Sequence, residues 1–280
     1  MKYLKIFSVL LIVFLNIVPA GYAAGPENVP TEIGKSVEGR SIEVYSFGNG
    51  EKEIVLYGGI HGGYEWNTVA LTERLIEFFS TNPDVIPEDI RLYIIPCLNP
   101  DGLAAVFGDE HGGAGLIPDK FDLGKVDTRP GRFNARGVDL NRNWDARWEP
   151  ISEWRSEKVD AGSRPFSEPE TSALRDFVLR IQPEVVVSYH SAANGIYFSG
   201  KHDLWEPART LANSYSEASG YPIPQGRSLV GYRITGASGG YFYSKGIPEI
   251  TVELAGRNGP EFERNIAGVK ALFRHITSPD

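Results

Sequence analysis

Two histidines and two glutamates in this chain stand where a metal ion and a base could act on one substrate. His61 and Glu65 lie in Tyr57-Gly58-Gly59-Ile60-His61-Gly62-Gly63-Tyr64-Glu65-Trp66, a glycine-rich turn after the apolar run Ile54-Val55-Leu56. His190 ends another run, Val185-Val186-Val187-Ser188-Tyr189-His190, and precedes the turn Ser191-Ala192-Ala193-Asn194-Gly195. A catalytic zinc takes three protein ligands and keeps one position open for water, so His61 and Glu65 are expected to be two of three. His190 is the candidate third, because two histidines at the carboxyl ends of two strands could converge in one crevice. Satisfied structural histidines are the competing explanation. The other three histidines offer less: His275 reads as a solvated helix-end residue, His202 sits in a polar loop, and His111 lies in a glycine-rich one.

Glu253 interrupts the apolar Ile250-Thr251-Val252-Glu253-Leu254. Burial raises a carboxyl pKa and a metal or arginine pulls it back, which is the profile of a general base. A Glu on the solvent side of an alternating strand is the plainer alternative. Residues 132–144, Arg132 to Trp144, hold three Arg, three Asn and one Asp. Guanidinium groups clamp carboxylates in a bidentate fork, so this stretch is expected to recognise an anion; the alternative is a solvated polar loop.

The elements that must position these groups can be read from periodicity. Strand signals cover 41–46, 53–58, 91–97, 184–190 and 249–254, and helix signals 66–79, 168–181, 206–218 and 260–276. Ser167 and Asn258 are expected helix caps, each followed by proline and glutamate. Alternating strands and helices predict an α/β fold in a single domain: a mixed, mostly parallel twisted sheet with helices on both faces. Ligand crevices in such sheets open at the carboxyl ends of the strands, where His61 and His190 stand. The stretch from Asn99 to Glu168 shows little periodicity, and a long insertion of that kind usually carries binding or catalytic groups.

The chain has 280 residues and a net charge of −8. That acidity argues against a nucleic-acid or anionic-membrane partner. Lys2 and Lys5 precede the apolar Ile6 to Val18, and Gly21-Tyr22-Ala23 offers small residues for cleavage. Residues 1–23 are therefore expected to be a signal peptide and 24–280 the catalytic domain of a secreted or periplasmic enzyme, with no membrane attachment after cleavage. Cys97 is the sole cysteine, so no internal disulfide forms, and it reads as a small buried hydrophobe.

Taken together, His61…Glu65, Asn99-Pro100-Asp101-Gly102, Asp139 through Trp144, His190-Ser191, Tyr232 and Glu253 resemble the zinc carboxypeptidases related to carboxypeptidase A, especially short bacterial members such as murein peptide amidases. The resemblance spans Gly34 to the last helix. It implies one zinc per chain, held by His61, Glu65 and His190, with Asp139 orienting His61. It further implies that Asn141 and Arg142 hold the substrate's terminal carboxylate, Arg132 (with Arg136 as fallback) stabilises the oxyanion, Tyr232 closes over the substrate, and Glu253 is the general base. The implied substrate is a peptide or cell-wall peptide, and the implied assembly a monomer. A zinc-dependent deacylase of N-acyl amino acids is a second reading, and a non-catalytic zinc- or peptide-binding module a third.

Two features depart from the family. Glu65 follows His61 by four residues where the family usually has three, so the turn must absorb one more. The pocket loop reads Ser238-Gly239-Gly240-Tyr241 and carries no acid, which gives no support for a preference for basic C-terminal residues.

Overall fold

A computed structural model of the chain describes residues 29–109, 117, 126–199, 206–224 and 233–278. The expected signal segment 1–23, His111, His202 and Tyr232 lie outside the described residues. Within them run β1 (Thr31–Lys35), β2 (Ser41–Phe47), β3 (Lys52–Tyr57), α1 (Trp66–Thr81), β4 (Ile90–Ile95), α2 (Pro100–Phe107), β5 (Ile151–Trp154) and β6 (Glu157–Asp160). The chain continues through α3 (Pro169–Ile181), β7 (Val185–Ser191), β8 (Gly195–Phe198), α4 (Glu206–Ser219), α5 (Ser238–Ser244), β9 (Glu249–Leu254) and α6 (Phe262–Thr277).

Seven strands form one sheet in the order β1-β2-β4-β3-β7-β9-β8. The four central strands β4, β3, β7 and β9 are parallel, while β1, β2 and β8 pair antiparallel at the margins. This is the mixed sheet expected from the alternation of patterns. All seven residues of β7 are buried, as a strand covered on both faces requires. Successive residues then alternate between two cores. Ile54, Leu56 and Val187 pack against Leu75 and Phe79 of α1, Tyr215 of α4 and Leu272 of α6. Val55, Tyr57 and Val186 pack on the opposite face with Leu174 and Phe177 of α3 and Phe242 of α5. Each such side chain contributes roughly 1.5–3 kcal/mol by leaving water, so the central strands form a stiff platform for what projects from their ends.

The differences from expectation lie where local chemistry beats periodicity. The Asn99–Glu168 stretch is not wholly irregular. Asn99 caps α2 by accepting from the Gly102 N–H at 2.8 Å, with Pro100 in the first turn, and β5 and β6 make a hairpin. Ser167 does not cap α3: its hydroxyl donates to Glu168 Oε1, and the Asn143 side chain receives the Glu168 N–H instead. Asn258 does not cap α6 either, because Pro260 and a left-handed Glu261 delay the helix to Phe262.

Candidate metal centre and active site

Three neighbouring parallel strands deliver the candidate site at their carboxyl ends. β3 leads through Gly58–Ile60 to His61, β7 carries His190, and β9 carries Glu253 directly opposite His190 in the ladder. Partners in register project to the same face of a sheet, so His190 and Glu253 face one crevice. The turn after β3 accommodates the extra residue before Glu65. Residues Gly62–Glu65 wind into a short 3-10 turn, with Gly62 at φ +37°. A side chain on Gly62 would meet the backbone of Gly102 and Leu103 at 2.7 Å, so glycine alone lets this turn sit against the start of α2.

The Glu65 carboxylate faces both imidazoles. Oε1 lies 3.0 Å from His61 Nδ1 and Oε2 lies 3.0 Å from His190 Nδ1. The three residues are 3–4% exposed, and their potential donor atoms fall within 4.8 Å of one another. Two imidazole nitrogens and one carboxylate, converging at the edge of an open cleft, match the donor set of a catalytic zinc. Burial would raise the Glu65 carboxyl, but His61 and His190 overcome it and hold the group well below the usual carboxylate range.

Asp139 backs the cluster. Its Oδ1 lies 3.3 Å from His61 Nε2, the nitrogen turned away from Glu65, and also accepts from the Asn141 N–H. Its Oδ2 accepts from Arg132 Nε at 3.0 Å and Nη2 at 2.7 Å. Burial would raise Asp139, yet Arg132 first and Arg142 next keep it well below the ordinary range. Such a partner fixes the imidazole tautomer and orientation.

Arg132 is 3% exposed, and its Nη1 lies 3.4 Å from His61 Nδ1. The guanidinium sits over the Trp154 ring at 4.3 Å and within 5.8 Å of the Tyr64 ring centre, and those two rings meet edge to face. Arg136 points elsewhere, to Glu168 and the Ser167 carbonyl, so of the two candidates only Arg132 reaches the site. Glu253 accepts the Ala193 N–H at 3.2 Å. Burial raises its carboxyl to about 7, against the lowering effect of His190.

Asn141 and Arg142 line the same cleft of about 980 Å³ as His61, Glu65, His190 and Glu253. Arg142 is braced by backbone: Nε and Nη2 donate to the Glu153 carbonyl at 3.2 and 2.9 Å, and Nη1 to the Asn141 carbonyl at 2.7 Å. Asn141 Oδ1 accepts the Ser238 N–H at 3.2 Å. Trp154 and Tyr64 were not expected from the sequence. The signal for Trp154 is the short alternation on either side of Arg155-Ser156, two residues with φ of 50° and 65° that form the tip of the β5–β6 hairpin.

The zinc carboxypeptidase family model matches residues 23–263. A carboxypeptidase B of Astacus astacus is 29% identical over 202 residues, covering 67% of this chain and 63% of that protein, so the chain spans less than two thirds of that relative. Murein peptide amidase A of Escherichia coli K12 is 29% identical over 229 residues, covering 78% of this chain and 76% of that protein. The crystal structure of murein-tripeptide amidase MpaA from E. coli O157 has the same fold, with a TM-score of 0.58, 23% identity and coverage of 92% and 94% of the two chains. With the His-Glu-His cluster at the ends of a central parallel sheet, and a family match over most of its length, the chain belongs to the zinc carboxypeptidase family.

Proposed function

We propose that this protein is an exported zinc metallocarboxypeptidase that hydrolyses the C-terminal amide bond of peptides, cell-wall peptides among them. His61, Glu65 and His190 hold one zinc ion per chain. When bound, zinc acidifies the attacking water toward a pKa of about 7 and polarises the scissile carbonyl. Glu253 takes the proton from that water and hands it to the departing amine, which requires a carboxyl that titrates near neutrality. Arg132 donates to the carbonyl oxygen as it gains negative charge, a contribution typically worth ~10²–10³ in rate. Asn141 and Arg142 hold the terminal carboxylate, and Tyr232 closes over the substrate. Asp139 keeps His61 and Arg132 in position.

One observation carries this reading: Glu253 stands opposite His190 in the ladder, beside a buried His-Glu-His cluster and an oriented arginine. Export rests on the basic and apolar N-terminal segment. The test is incubation of the zinc-loaded protein with a panel of L-peptides and γ-D-glutamyl-diaminopimelate peptides, followed by mass spectrometry. Release of single C-terminal residues from ordinary L-peptides would assign a general carboxypeptidase, and cleavage confined to the γ-D-glutamyl bond a cell-wall peptidase. Intact peptides throughout would refute hydrolysis.

A further inference from the structure

Resting on the carboxypeptidase reading, we infer that Arg257 is a substrate-binding residue, whose guanidinium receives a carboxylate borne by the residue that supplies the scissile carbonyl. Among the described residues, six arginines and two glutamates line the cleft, in a chain whose net charge is −8. The two glutamates are Glu65 and Glu253, the expected zinc ligand and base. Fixed charges of one sign in a cleft concentrate the opposite sign there, so this cleft suits a ligand with more than one negative group. Asn141 and Arg142 are the expected anchor for the terminal carboxylate. Arg257 stands apart from them and is free to take another.

The loop that presents Arg257 is tied down on both sides. Arg257 follows β9 (Glu249–Leu254), and Glu261 Oε1 accepts the Ala255 N–H at 2.8 Å and the Gly256 N–H at 3.2 Å. Asn67 Nδ2 donates to the Gly256 and Gly259 carbonyls at 2.9 and 3.2 Å. Asn67 Oδ1 accepts from Ser191 Oγ at 2.9 Å, which joins the loop to the strand that carries His190. The Arg257 guanidinium lies 3.9 Å from the centre of the Tyr64 ring. Its hydrogen-bonding capacity is nearly unspent. Among the described residues it has no carboxylate partner, Nη2 reaches the Ser191 carbonyl only at 3.5 Å, and the buried Nε has no acceptor. Arg132 and Arg233 in the same cleft are paired with Asp139 and Glu149. A cation fixed beside another guanidinium without an acid is electrostatically costly, and an arriving carboxylate would offset that cost through a bidentate fork.

The neighbours of Arg257 set which part of a substrate it meets. Asn141 joins the Ser238 side of the cleft, where its Oδ1 accepts the Ser238 N–H. Arg257 instead joins Tyr64 and Ser191, the residues next in sequence to Glu65 and His190. Arg132, the expected donor to the scissile carbonyl, lies 5.8 Å from the centre of the same Tyr64 ring. A substrate with its terminal carboxylate on Asn141 and Arg142 and its carbonyl at Arg132 therefore continues past Tyr64 toward Arg257. The carboxylate can be the side chain of an α-linked glutamate or the free α-carboxylate of a γ-linked one, since both stand a few bonds from the carbonyl.

The test uses the zinc-loaded protein and three peptides that share one C-terminal residue, preceded by glutamine, α-linked glutamate or γ-linked glutamate. The loss of kcat/KM from wild type to Arg257→Gln is compared across the three. It is expected to be about tenfold greater on a glutamate peptide than on the glutamine peptide, since a factor of ten is about 1.4 kcal/mol, the scale of a charge-assisted hydrogen bond. Each comparison is internal to one protein preparation, so a loss of folded enzyme lowers all three rates alike. An excess loss on the α-linked peptide assigns the side-chain carboxylate to Arg257, and one on the γ-linked peptide assigns the free α-carboxylate. A loss no greater on either charged peptide than on the glutamine peptide overturns the inference. If no form of the protein hydrolyses any of the three, dissociation constants decide. Tighter binding of a charged peptide that disappears in Arg257→Gln upholds Arg257 and removes the hydrolytic reading; binding indifferent to that charge removes Arg257.

Discussion

Arg132 and Asp139 meet at a single oxygen, with Arg132 Nε and Nη2 both donating to Asp139 Oδ2 while the other oxygen faces His61. One carboxylate thus orients both a candidate metal ligand and the candidate oxyanion donor. Asp139→Asn keeps the volume but removes the charge. We expect zinc affinity or turnover to fall ~10–100-fold, as for other groups that hold a metal-binding histidine. Competition with a chromogenic chelator and kcat on a common peptide would measure both. Wild-type values for both would show that Asp139 is only a packing residue.

Glu253→Gln removes the proton acceptor and preserves the strand. Turnover is expected to fall ~10²–10⁴-fold while one zinc per chain is retained. Metal analysis beside steady-state kinetics checks this, and unimpaired hydrolysis would exclude Glu253 as the base.

Much of this site was legible in the sequence because its residues close continuous apolar runs. A buried parallel strand announces itself, and His61, His190 and Glu253 stand at the ends of three. Glu65 was harder, since its reach depends on the close approach of Gly62 to Gly102, a contact between segments that spacing does not encode. Trp154 stayed hidden because the alternation that marks it spans only the four residues of β5 on its side of the turn, too short to stand out from a polar stretch.

Trp154→Leu should loosen the guanidinium stacked on it. A partly desolvated cation–π contact is worth roughly 0.5–2 kcal/mol. The expected result is a severalfold fall in kcat, a smaller change in KM and unchanged zinc content. An effect confined to KM would place Trp154 in substrate binding instead.

Removing the metal should lower thermal stability. A ligand that binds only the folded state adds RT ln(1 + [L]/Kd), about 2.7 kcal/mol at a hundredfold excess over Kd. Scanning calorimetry with and without a chelator should show a lower unfolding temperature in the chelated protein. Glu65→Gln should abolish that difference, because one of the three ligand groups facing one another is lost. A chelator shift of equal size in Glu65→Gln would mean that the stabilising ion sits elsewhere.

The buried Glu249 should also leave a signature in stability against pH. Burial pushes its carboxyl up to about 7 from an ordinary 4.5, against the lowering effect of the Ser238 hydroxyl. Between those values the folded protein binds the proton more tightly than the unfolded chain. The contribution is therefore complete below about 4.5 and is lost as pH rises through about 7. Its ceiling is about 3 kcal/mol, from roughly 1.36 kcal/mol per pKa unit. Glu73, also raised to about 7 by burial, acts in the same direction. Glu65 and Asp139 act in the opposite one, with stability lost only as pH falls below the ordinary carboxylate range. Subtracting the Glu249→Gln curve from the wild-type curve, both metal-loaded, cancels those shared groups. The wild type should lose stability relative to the variant between pH 5 and 8, by denaturant unfolding at fixed temperature. Parallel curves across that range would mean that Glu249 is ionised in the folded protein at all of those pH values, and that its burial is offset by contacts beyond Ser238.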